Sequence, residues 1–104
     1  MVAADHKASY ALAELGYHYA RAGRSDEARK IASELESRYP LGDVRPSEVA
    51  MIYNGLGEFE VACGWLQRGL PIHDQGLTVL KVDPSYDILQ TYPRFRALIE
   101  TLKL

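Results

Sequence analysis

Apolar residues recur at three- and four-residue spacing through most of this chain, the signature of helices that bury one face. Leu12, Leu15, Gly16, Tyr19 and Ala20 trace the first face. Gly23 predicts its end, because glycine accepts the left-handed conformation that closes helices. Ser25 then offers a hydroxyl to the free amides of a second helix, with Asp26 and Glu27 at its positive end. Ala28, Ile31, Ala32, Leu35 and Tyr39 carry that helix on until Pro40 and Gly42 break it.

Pro46 predicts the first turn of a third helix, where its missing N–H costs nothing. Val49, Ala50, Ile52 and Tyr53 form its face, and Gly57 its stop. A fourth helix carries Ala62, Trp65, Leu66 and Gly69 and ends near Pro71. Gly64 and Gly69 lie inside it, each costing about 1 kcal/mol relative to alanine, and predict close approach of a neighbouring helix. The remainder reads as a short helix at 77–81, a turn at Asp83-Pro84 and a last helix from about Pro93 to Leu102. Phe95, Leu98, Ile99 and Leu102 make its apolar stripe. The predicted fold class is all-α.

Displacing the sequence against itself by 34 residues aligns Tyr19 with Tyr53, Gly23 with Gly57 and Ala28 with Ala62. Leu15 and Val49, Gly16 and Ala50, Ile31 and Trp65, Ala32 and Leu66 stay apolar or small at the same offset. The chain therefore reads as a duplicated helical hairpin. These residues resemble the tetratricopeptide repeat, whose pattern is W-x2-L-G-x2-Y, then A-x3-F, then P. In the first unit the pattern falls on Leu12, Leu15, Gly16, Tyr19, Ala28, Ala32 and Pro40. In the second it falls on Pro46, Val49, Ala50, Tyr53, Ala62, Leu66 and Asp74. Tryptophan is absent from both first positions, and the second unit lacks the closing proline.

The tail, with Val82-Asp83-Pro84 and Tyr92-Pro93-Arg94-Phe95, is similar to an ending found after such repeats in bacterial multidomain signalling proteins. Tyr92 stands where that ending usually has aspartate, so the usual helix cap is lost. The resemblance implies one domain over 1–104, a TPR-like α-α superhelix. Repeat one covers about 9–42, repeat two 43–76, and C-terminal capping helices 77–104. Roughly three repeats are normally needed for stability, so the tail is expected to supply the missing layer.

Charge and composition narrow the functions. The formal net charge is −2 with both signs interspersed, which argues against a phosphate-neutralising nucleic-acid surface. Arg21, Arg24, Arg29 and Lys30 are interrupted by Asp26 and Glu27 and read as a solvated helix face. No apolar run approaches the roughly 20 residues needed to span a bilayer, and 1–7 carries no apolar signal core. The single cysteine, Cys63, forms no internal disulfide and reads as a buried, inert thiol. A cytoplasmic location is expected.

Chemistry finds little footing. His6, His18 and His73 show no metal-ligand spacing with one another or with Cys63, and no cofactor motif is present. Gly55-Leu56-Gly57 ends a helix rather than opening one. An enzyme resting on His73 and Asp74, a base with its orienting carboxylate, is the weakest reading, and a solvated loop is the preferred one. The resemblance instead implies a non-catalytic adaptor or regulatory domain binding a protein or peptide on a concave face lined by the first helix of each repeat. The matching residues are Tyr10, Ala13, Tyr17 and Arg21 in the first unit and Ser47, Met51 and Asn54 in the second. Tyr10 and Tyr17, seven apart, share one side of the helix. The lysine-asparagine clamp of carboxylate-binding repeats is missing, which favours an apolar or aromatic partner segment. The alternative is a homo-oligomerisation module of a larger signalling protein, a homodimer burying the uncovered first helix.

Overall fold

Glycine and proline punctuate the chain where the pattern places its breaks, and helices fill the intervals. A computed structural model describes residues 6–81 and 83–102, without the side chains of His6, Lys7 and Val79. Val82 of the Val82-Asp83-Pro84 stretch, and residues 1–5 of the expected non-signal N-terminus, lie outside the described residues. The described chain is all-helical. Its α-helices are α1 (His6–Arg21), α2 (Ser25–Arg38), α3 (Pro46–Leu56), α4 (Phe59–Arg68) and α5 (Pro93–Leu102). Short 3-10 turns occupy Tyr39–Leu41, Gln75–Val79, Pro84–Tyr86 and Ile88–Thr91.

The 34-residue offset survives in the backbone. Gly23 and Gly57 both adopt positive φ, +83° and +81°. Arg24 N–H donates to Tyr19 O at 2.8 Å and Gly23 N–H to Ala20 O at 3.2 Å. Glu58 N–H donates to Tyr53 O at 3.0 Å and Gly57 N–H to Asn54 O at 3.1 Å. These paired bonds satisfy the last carbonyls of α1 and α3 in one and the same turn motif. The following helices start at Ser25 and Phe59, again 34 apart. Ser25 is therefore already helical, and the expected hydroxyl cap does not form; Arg24 occupies the cap position without a side-chain bond.

Each hairpin closes on itself, α1 on α2 and α3 on α4, and α3 also packs against α1 and α2. One core joins Ala13, Ala28, Ala32, Leu35, Val49 and Ile52. Ala13 and Gly16 form the seam of α1, and Leu15, expected on that face, is 44% exposed. The seam is small by necessity: a methyl at Gly16 would lie 2.7 Å from Ile52 Cδ1, and one at Gly55 2.9 Å from Tyr17 Cδ1. Only residues without bulk let α1 and α3 approach this closely.

A second core joins Ala62, Cys63 and Leu66 to Leu77, Leu80, Tyr86, Leu89, Phe95 and Leu98 of the tail. Tyr53 and Trp65 pack against both cores and bridge them. Tyr39 meets Trp65 edge-on, and the Arg68 guanidinium covers its ring at 4.1 Å. The tail thus buries the apolar faces that α3 and α4 present away from the first hairpin. Arg94 ties α5 down, donating to Glu60 Oε1 at 2.9 Å and Gln67 Oε1 at 2.8 Å. Gly64 is not a site of tight contact, since an added methyl would meet Arg94 Nη2 at an ordinary 3.6 Å. Gly69 sits at the C-cap of α4 rather than inside it and is pressed by Asp74 of the following loop, not by a helix.

Candidate functional site

The tail does not stop at capping α4; it turns back over α3. Pro46 starts α3 behind Arg45, a residue with no side-chain acceptor to offer the helix. The first free amides of α3 are satisfied from elsewhere. Asp74 accepts from Ser47 N–H and from Ser47 Oγ, both at 2.8 Å, and from Gly76 N–H at 2.9 Å. Within α3, Glu48 Oε1 accepts from Arg45 N–H at 2.9 Å and from Ser9 Oγ of α1 at 2.8 Å. Further along, Asn54 donates to Ser85 O at 2.6 Å. The tail therefore bonds α3 near both of its ends, at Ser47 and at Asn54.

What remains open is a cleft of about 290 Å³ lined by Tyr10 of α1, Ser47, Glu48 and Met51 of α3, and Asp83 and Tyr86 of the tail. It adjoins a second recess of about 150 Å³, which adds Glu14, Tyr17 and His18 from α1 and shares Tyr10, Met51 and Asp83. Tyr10 is 48% exposed at its rim. Burial holds the Tyr86 hydroxyl well above the usual tyrosine range.

Of the seven residues expected to meet a partner, Tyr10, Tyr17, Ser47 and Met51 come together at this cleft. Ser47 contributes little surface, being buried with its hydroxyl committed to Asp74. Ala13 is a correction: it is fully buried in the first core, because α1 turns its Ala13–Gly16 seam inward. Asn54 is a second correction, buried and engaged by the tail. Arg21 is exposed at the end of α1, outside the cleft lining. Sequence reasoning missed Glu14, Glu48, Asp83 and Tyr86. Glu14 was accessible to it, lying four residues from Tyr10 on the same helix face. Asp83 and Tyr86 arrive only through the path of the tail.

His73 and Asp74 do not form a base with its orienting partner. His73 is exposed with φ +54°, while the Asp74 carboxylate is buried and taken up by Ser47 and Gly76. The expected solvated loop holds for His73 and fails for Asp74. Cys63 is fully buried, and burial raises its thiol above the usual range. Among the described residues, no three His, Cys, Asp or Glu side chains are grouped to hold a metal. No helix among them is long and apolar enough to cross a membrane. No protein-family model matches the chain, and neither a curated protein nor a solved structure matches it significantly.

Proposed function

We propose that this chain is a tetratricopeptide-like adaptor or regulatory domain of the cytoplasm that holds a segment of a partner protein and performs no chemistry of its own. The observation that carries this reading is the cleft where Tyr10, Tyr17 and Met51 converge from two helices on the face that the tail leaves uncovered. Aromatic rings beside a flexible thioether suit the apolar atoms of a side chain entering from outside. The repeated turn at Gly23 and Gly57, and the packing of α3 against both helices of the first hairpin, support the repeat assignment.

The test is capture of a partner by the immobilised chain, compared with Tyr10→Ala and Met51→Ala. Tyr10 is half exposed, so its truncation should leave melting nearly unchanged while reducing capture about tenfold. Capture that is indifferent to both substitutions would remove the cleft from consideration. Tyr17→Ala is a poorer probe, because the Tyr17 ring abuts the α3 backbone at Gly55 and its loss weakens the fold.

Self-association is the second reading, favoured by Leu15, which is exposed on the α1 surface. Light scattering over a concentration series decides it. A doubled mass that Leu15→Glu abolishes supports pairing through α1, and a constant monomer mass rejects it.

A further inference from the structure

The cleft carries a charge as well as a shape. Glu14 from α1, Glu48 from α3 and Asp83 from the tail all line it or its adjoining recess, faced there by Arg45 and His18. Tyr10 registers their field. Its hydroxyl is raised above the usual range, by Glu14 first, then by burial and its bond to Glu14, then by Asp83 and Glu48.

A second observation is independent of the charge count. Glu48 is only 2% exposed. Its Oε1 is supplied by Ser9 and Arg45, whereas its Oε2 is buried with no hydrogen-bond partner. A buried carboxylate oxygen without a donor is costly, and a cation held in the cleft lowers that cost through space. Met51 and the rings of Tyr10 and Tyr86 complete the lining, a surface suited to the methylene stem of a long basic side chain.

Building on the partner-binding reading above, we propose that the cleft receives an arginine or lysine side chain of the bound segment, its stem against Met51 and Tyr10 and its cationic head among Glu14, Glu48 and Asp83. The partner is thus a segment with a basic residue beside apolar ones, and its affinity falls with salt.

The experiment follows backbone amide and methionine methyl resonances of the full chain during titration with N-acetyl-arginine-N-methylamide. The neutral isostere, N-acetyl-citrulline-N-methylamide, and the apolar N-acetyl-leucine-N-methylamide are titrated alongside. The arginine probe should shift Tyr10, Met51 and Asp83 saturably, with affinity reduced about fivefold from low to physiological salt. Glu14→Gln combined with Asp83→Asn, which keeps the acceptor that caps Ser85, should abolish saturation while the rest of the spectrum stays native. If the citrulline or leucine probe binds the same resonances equally well, the cationic proposal fails and the partner cleft stands. If the double substitution leaves arginine affinity intact, the proposal fails likewise. If no probe moves the cleft resonances, both fail.

Discussion

Asp74 caps a helix that begins 28 residues before it in the chain: its carboxylate accepts both the amide and the hydroxyl of Ser47, each at 2.8 Å. This bond pair places negative charge at the positive end of α3 and fastens the tail across that end. Asp74→Ala removes the acceptor, leaves the Ser47 amide buried without a partner and should cost about 2–4 kcal/mol in urea unfolding. Ser47→Ala should cost about 1 kcal/mol, and the double substitution should cost less than the sum. Additive losses would show that the two residues act separately.

Two glycines should answer the same substitution with opposite sign. At Gly64 a methyl meets nothing closer than 3.6 Å, so Gly64→Ala should stabilise α4 by about 0.5–1 kcal/mol. At Gly55 it would meet Tyr17 Cδ1 at 2.9 Å and Ala20 Cβ at 3.1 Å. Forcing α1 away from α3 there should outweigh the helix-propensity gain and destabilise by about 1–3 kcal/mol. Thermal melting checks both, with about 4–8 °C expected per kcal/mol in a domain of this size.

Tyr53 should leave a mark on alkaline stability. Burial first, then the bond it donates to Glu36, push its hydroxyl up to about 12, whereas an unfolded tyrosine ionises near 10. Between those values the unfolded chain releases a proton that the folded chain retains, so stability falls as pH rises from about 10 to 12. Below about pH 10 both states are protonated and the contribution is constant. Relative to wild type, Tyr53→Phe should show a shallower decline, by about 1 kcal/mol at pH 11 after allowing for partial exposure. Parallel curves above pH 10 would exclude this role.

The Cys63 thiol should resist modification in the native state. It lies in the core between α4 and the tail, fully buried, with its ionisation disfavoured. A disulfide reagent must wait for local opening. An opening cost of about 3 kcal/mol slows reaction about 100-fold relative to the urea-unfolded chain. Rapid native labelling would mean that the tail detaches far more readily than its packing implies.

The sequence by itself determined the helices, their breaks and the 34-residue offset, because these depend on local rules. Glycine ends a helix wherever it takes positive φ, proline starts one wherever its amide is spare, and apolar spacing marks which stretches must bury a face. It did not determine which way α1 turns. Leu15 is more apolar than Ala13, yet the seam against α2 and α3 takes Ala13 and Gly16 because there is no room for a leucine between the helices. Nor could it place the tail. Asp74 and Ser85 meet α3 through hydrogen bonds 27 and 31 residues apart in the chain, and no periodicity encodes partners at that distance. That tertiary path buries Ser47 and Asn54 and sets Asp83 opposite Tyr10. The acidic cleft beside α3 exists only when the chain folds back on that helix.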